Sequence, residues 1–208
     1  MTTLHSDILG LVARGSPRRE ATTAEADPAD IGTREGFIVL FDRYAAALHR
    51  YCARRVGPDV AEDIVSQTYL TAFAKRHRYD PARASAISWL YGICTNLLRR
   101  HRRGEARALR TLARTGVDPL ADSGSVDRSL DRVAAQSESR RLAEALASLK
   151  AGQREVLLLF AVAELSYTEI AAALRVPEGT VASRLARAKA HLRRKLADPH
   201  TTSRRSTP

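Results

Sequence analysis

The chain has 208 residues, enough for one ordinary domain or two small ones. Apolar residues make up 44% and aromatics only 5%, with Ala, Leu and Arg dominant, so the chain can build a core and favours helices over sheets. Lys plus Arg outnumber Asp plus Glu by 34 to 23, a formal net charge of +11 that points to a polyanionic partner, nucleic acid before an anionic membrane surface. No stretch of 18 or more apolar residues exists to span a bilayer, and no basic segment precedes an apolar run at the N-terminus as a secretory signal would require. The only cysteines, Cys52 and Cys94, lie in helical apolar patterns without nearby His ligands. They cannot build a tetrahedral zinc site and are expected to be buried, reduced thiols in a cytoplasmic protein.

Residues 1–34 lack sustained periodicity and read as a mobile, disordered arm. Phe37, Leu40, Phe41, Tyr44, Leu48 and Tyr51 then recur at helical spacing and predict an amphipathic helix. Gly57-Pro58-Asp59 ends it, and a second helix is predicted from Val60 to Arg76. His77 to Arg83, with Asp80-Pro81, reads as a loop. A third helix is predicted from Ser85 to Arg103, with Leu90, Ile93, Cys94 and Leu97 as its apolar stripe. Between Gly104 and residue 138 the periodicity fades and turn chemistry takes over, the mark of a flexible linker. Helical pattern returns at Leu142, Ala145, Leu146 and Leu149 and continues to Leu196; the tail 197–208 reads as disordered. The expected architecture is all-α, two small helical domains (35–103 and 139–196) joined by the linker 104–138.

Within the second block, Ser166-Tyr167-Thr168-Glu169 is a capping-box sequence that starts a short helix buried through Tyr167, Ile170, Ala171 and Leu174. Arg175-Val176-Pro177-Glu178-Gly179 is a turn, and a long helix follows. On a wheel of roughly 100° per residue, Val181, Leu185, Ala188, Leu192 and Leu196 fall within about 80° and face the core. Thr180, Ser183, Arg187 and Arg194 lie opposite, with Arg184 on the flank. Arg184, Arg187, Lys189, Arg193, Arg194 and Lys195 concentrate positive charge suited to a phosphate backbone. Short hydroxyls and Arg at the helix start suit base edges in the major groove. A capped short helix, a tight turn and an outwardly basic second helix read as a helix-turn-helix. A solvated basic face is the plain alternative. Arg175 opens the turn where Gly is common, and a left-handed conformation there would cost about 1 kcal/mol.

The first block offers two surfaces. Asp63, Gln67 and Leu70 cluster away from the apolar face of the second helix, either as ordinary solvent-facing surface or as a protein docking patch. The third helix closes on Arg99-Arg100-His101-Arg102-Arg103, with Arg107, Arg110 and Arg114 beyond. Asn96 lies one turn before this run. Trp89, the only tryptophan, lies near the helix start, beside a loop carrying His77, Arg78 and Tyr79. Aromatics and amides next to Arg suit unpaired bases; Trp89 as plain core is the competing reading.

Ala61-Glu62-Asp63-Ile64-Val65-Ser66-Gln67-Thr68-Tyr69-Leu70, with Trp89-Leu90-Tyr91-Gly92-Ile93, Asn96 and the Arg run, resembles the core segment of extracytoplasmic-function sigma factors of the sigma-70 family. Leu165-Ser166-Tyr167-Thr168-Glu169-Ile170-Ala171 and Gly179-Thr180-Val181-Ala182-Ser183-Arg184-Leu185-Ala186-Arg187-Ala188 resemble that family's C-terminal helix-turn-helix. Ser66-Gln67 and Arg175 depart from its usual residues. The resemblance implies that the first domain (sigma region 2) binds core RNA polymerase through Asp63, Gln67 and Leu70. It implies that the loop from His77 to Ser85 captures a flipped base of the minus-ten element. Arg78, Tyr79, Ser85, Trp89, Asn96, Arg99, Arg100 and Arg103 would contact that DNA. The second domain (region 4) would read the minus-thirty-five duplex through Thr180, Ser183, Arg184, Arg187 and Lys189. An anti-sigma factor is an expected partner, and no cofactor, metal or catalytic residue is expected.

Three rival readings differ in class. A stand-alone helix-turn-helix regulator leaves the Trp89–Arg103 constellation unused. A nuclease built on Glu62, Asp63, Asp80 and His77 lacks metal-ligand or nucleophile–base spacing. An RNA-binding or membrane-surface protein is opposed by the helix-turn-helix.

Overall fold

A computed structural model describes residues 31–115 and 140–197, together with residues 8 and 10. All regular structure among them is helical, and the chain divides into two compact units, described in turn. The expected linker beyond residue 115, the tail from 198 and most of the expected arm lie outside the described residues. Within the range expected to be the arm, Ile31 is buried and Ile8 is helical and buried.

In the N-terminal unit, α1 (Arg34–Val56) starts where the Thr33 hydroxyl accepts from the Gly36 amide at 3.2 Å. Leu40, Tyr44, Leu48, Tyr51 and Cys52 form its buried stripe. Phe41, placed in that stripe by the sequence pattern, is instead 47% exposed. On the wheel it falls between the buried Leu48 and Cys52, so its exposure reflects how little the neighbouring helices cover the first turns of α1 and not its angular position. Gly57 closes α1 at φ 84°, a conformation open to Gly at little cost, and Pro58 starts α2 (Pro58–Lys75) at a position that needs no amide hydrogen. α2 buries Ala61, Ile64, Val65, Thr68, Tyr69 and Ala72. A single 3₁₀ turn (Arg76–Arg78) leads into the loop and then α3 (Ala86–Thr115). α2 packs against both α1 and α3, and α1 also touches α3. At that contact the Tyr51 and Tyr91 rings meet edge to face, centroids 5.1 Å apart. Burial pushes the Tyr91 phenol far above its ordinary pKa, so it stays neutral.

α3 corrects the sequence reading most. It was expected to end at Arg103 with a linker beginning at Gly104, yet it runs unbroken to Thr115. One Gly inside a helix costs only about 1 kcal/mol, and the residues after it (Glu105, Ala106, Arg107, Ala108, Leu109, Arg110) are good helix formers. His101 and Glu105 also bridge the glycine, Nε2 to Oε1 3.3 Å, at the favourable i,i+4 spacing.

In the C-terminal unit, residues 140–147 are helical (α4) and are followed by α5 (Ala151–Ala161), α6 (Tyr167–Leu174) and α7 (Glu178–Ala197). Arg154 closes α4 by donating to the carbonyls of Leu146 (2.7 Å), Ala147 and Leu149 (3.0 Å) at its C-terminal end. α5 is buried continuously from Glu155 to Phe160 and is the centre of the unit. α6 begins with the expected capping box: Ser166 N donates to Glu169 Oε2 (2.8 Å), and Glu169 N donates to Ser166 Oγ (3.2 Å).

Arg175 does take the left-handed conformation, φ 54° and ψ 51°. Its amide and that of Val176 turn back on Ala172 and Ala171, closing α6. Because its side chain is exposed, Arg175→Gly should remove strain without removing packing. Urea unfolding is expected to give a gain of about 1 kcal/mol; an unchanged or lower midpoint would mean the turn carries no strain.

Candidate nucleic-acid interfaces

The outer face of α3 is built by helical spacing. Leu90, Tyr91, Cys94, Thr95 and Leu98 are buried against the bundle. At roughly 100° per residue, Trp89, Asn96, Arg99, Arg100 and Arg103 fall within about 120° on the opposite side. Asn96, Arg100 and Arg103 are exposed, and Trp89 and Arg99 half-buried. Arg99 Nη1 lies 3.5 Å from Asn96 Oδ1, and Arg103 Nε donates to the Arg99 carbonyl at 3.3 Å. These contacts hold guanidinium and amide groups in one row.

At the start of that row the Tyr79 and Trp89 rings lie 5.1 Å apart and inclined by 43°. Trp89 is therefore neither plain core nor free surface: it is half-buried and packed against Tyr79. The loop between them is ordered by Asp80. Its Oδ1 accepts from Ala82 N at 3.0 Å, and its Oδ2 faces Arg83 Nε at 3.1 Å. Ser85 caps α3, its Oγ 2.8 Å from Ser88 Oγ. Arg78 and His77 are exposed on the approach. Such a row of cations, amide and aromatic faces suits a single strand with unstacked bases.

In the C-terminal unit, α6 and α7 form a helix-turn-helix braced at the turn by Thr168 Oγ1 donating to Glu178 Oε1 at 2.7 Å. Val181, Leu185, Ala188 and Leu192 are buried as expected. Arg187 is exposed; Thr180, Ser183 and Arg184 are half-exposed near the start of α7. Ser183 Oγ is engaged with the Thr180 carbonyl at 3.1 Å. Arg184 reaches back over α5, where Gly152 leaves it room: a Cβ there would lie 3.3 Å from its guanidinium carbon. Nothing in the sequence signalled this contact, because Gly152 and Arg184 are joined only by tertiary packing.

Lys189 departs from expectation. It was grouped with the DNA-facing cations but is only 5% exposed, its ammonium 5.9 Å from the centre of the Phe160 ring. Lys189 lies one turn after Leu185 on the flank of the buried stripe, so counting charges along α7 misplaced it. Burial, with the charge of Arg193 added, lowers its pKa.

On α2, Asp63, Gln67 and Leu70 are exposed along one line, with Leu70 66% exposed. Phe73, one turn after Leu70, is also exposed, and its ring lies 5.1 Å from that of Phe37 on α1. Phe41 is exposed too, 4.8 Å from the Tyr69 ring. Phe41 and Phe73 were missed as surface residues because aromatics at helical spacing read as core. Exposed aromatics clustered beside a polar line have the composition suited to protein docking. Among the described residues there is no cluster of His, Cys, Asp or Glu able to hold a metal, and no helix long and apolar enough to cross a membrane.

The fold is that of a helical DNA-binding protein with a helix-turn-helix in its C-terminal unit. Residues 40–108 match the family described as Sigma-70 region 2, and residues 139–192 that described as Sigma-70, region 4. The chain is 34% identical over 148 residues to the ECF RNA polymerase sigma factor SigL of Mycobacterium tuberculosis, covering 70% of this chain and 80% of that one. It is 35% identical over 184 residues to SigM of the same species, covering 86% and 87%. SigW of Bacillus subtilis is 28% identical, with 80% and 92% covered. Among solved structures, CnrH in complex with the cytosolic domain of CnrY matches with a TM-score of 0.56 and 26% identity, covering 80% of this chain and 90% of that one. The sigma factor RpoE of Bartonella quintana, solved with the anti-sigma factor NepR, shares the fold at a TM-score of 0.52 and 24% identity, covering 80% and 97%. The chain belongs to the extracytoplasmic-function sigma factors of the sigma-70 family. It is an RNA polymerase sigma factor, a protein that directs the polymerase to promoters.

Proposed function

We propose that the two units divide promoter recognition between them. In this reading residues 35–103 engage core polymerase and the minus-ten element, and residues 139–196 read the minus-thirty-five element. The observation that carries it is the row of Trp89, Asn96, Arg99, Arg100 and Arg103 opposite the buried stripe of α3, headed by the Tyr79–Trp89 pair. The loop from His77 to Ser85, with Arg78, Tyr79 and Ser85, holds a base flipped from the minus-ten duplex. Opening DNA costs pairing and stacking energy, and a protein that binds the open strand more tightly than the duplex lowers that cost. Thr180, Ser183, Arg184 and Arg187 at the start of α7 read the minus-thirty-five duplex in the major groove. Lys189 supports that surface from behind, as its burial favours packing over phosphate contact.

Asp63, Gln67 and Leu70, extended by Phe73 and Phe41, dock on core polymerase. An anti-sigma factor is a fitting second partner, since a related fold was solved with one. The protein acts in the cytoplasm, where polymerase is, and performs no chemistry of its own; the polymerase supplies catalysis.

Run-off transcription from a genomic promoter library, with core polymerase and this protein, tests the reading. Discrete transcripts that require the protein and share two spaced upstream elements are expected. Core polymerase that ignores the protein, while the protein alone binds duplex sites, would instead indicate a stand-alone regulator.

A further inference from the structure

Two sulfur atoms in the core of the N-terminal unit have no part in promoter recognition. Cys52 on α1 and Cys94 on α3 are fully buried free thiols whose Sγ atoms stand 3.2 Å apart. A disulfide needs about 2.05 Å between sulfurs, so closure asks for a shift of only about 1 Å. The two residues are 42 apart in sequence, and the bond would staple α1 to the helix that carries Trp89, Asn96 and Arg99.

The two thiols are not equivalent. The hydrogen bond from Cys94 lowers the pKa of Cys52, against the effect of burial, and the Arg55 charge adds to the lowering. The same bond, with burial, pushes Cys94 up. Cys52 is thus the sulfur that more readily becomes a thiolate. It also lies one turn from the end of α1 at Val56. Cys94 is held within the packed half of α3.

We propose that Cys52 and Cys94 are a reversible disulfide-forming modification site whose oxidant is a small peroxide. The Cys52 thiolate attacks one oxygen of hydrogen peroxide. The O–O bond breaks, and the departing hydroxide takes up the thiol's proton as water, leaving Cys52 a sulfenic acid. The Cys94 sulfur then attacks Cys52 Sγ. The S–O bond breaks, and the second hydroxide leaves as water with the Cys94 proton. Two thiols lose two electrons in all, and one peroxide becomes two waters.

The test exposes the full chain to hydrogen peroxide, denatures it in N-ethylmaleimide and measures its intact mass. The expected product is lighter than the reduced chain by two hydrogen masses, takes up no maleimide and is restored by dithiothreitol. Cys94→Ser should stop at a sulfenic acid that dimedone traps on Cys52, and Cys52→Ser should trap none. Uptake of two maleimides after peroxide, disulfide-linked dimers, or dimedone trapped at Cys94 in place of Cys52 would overturn the proposal. The wild-type mass measurement decides even if a variant fails to fold, and no outcome depends on promoter recognition.

Discussion

Leu185→Ala is expected to abolish the C-terminal fold, and with it any dependence of transcription on a minus-thirty-five element. Leu185 is 1% exposed and lies on the α7 stripe formed with Val181, Ala188 and Leu192. Truncating a buried Leu costs roughly 2–5 kcal/mol. A unit spanning residues 140–197 is small enough that its whole stability is of that order, roughly 3–9 kcal/mol at the usual yield per residue. Amide hydrogen exchange on the full chain separates this from a general effect. Protection should collapse across α5 to α7 and persist in α1 and α2. Arg187→Ala is the control, since it removes an exposed cation and should leave protection unchanged while weakening duplex binding. Persistent protection in Leu185→Ala would show that the unit closes around the cavity and that the stripe contributes less than its burial implies.

The second large effect is on promoter opening. Arg99→Ala with Arg100→Ala removes two guanidiniums from the row proposed to meet the open strand without touching the buried face of α3. If both contact single-strand phosphates, the slope of log K against log salt should fall by about 1.4, at about 0.7 per contact. Open complexes, scored by permanganate footprinting of unpaired thymines, should become scarce, while binding to core polymerase in the absence of DNA is kept. An unchanged salt slope with normal opening would remove these residues from the DNA path.

Much of the fold was readable from spacing. The α7 stripe, the capping box at Ser166 and the strained turn at Arg175 all follow from local rules, and each is present in the structure. What escaped was decided by competition or by distance in sequence. Gly104 reads as a break, but its small penalty is outweighed by strong helix formers on its C-terminal side. Phe41 reads as core because hydrophobicity marks an aromatic as buried whether it faces the bundle or a partner. Lys189 reads as one of a basic run, yet its place on the wheel puts it beside Leu185. The Arg184–Gly152 and Cys52–Cys94 contacts join residues 32 and 42 apart, beyond the reach of any local pattern.

The continuation of α3 to Thr115 has a thermodynamic consequence. After Leu98 none of the described side chains of that helix, as far as Arg107, is buried. The embedded half shares the cooperative stability of the bundle. The described stretch from Arg99 to Arg107 draws little on packing and more on its own helix–coil equilibrium. Arg99, Arg100 and Arg103 sit where one regime gives way to the other. A nucleic-acid strand that neutralises them would relieve their mutual repulsion and stabilise this stretch of helix. The measured affinity would then include that relief of repulsion as well as the strength of the contacts themselves.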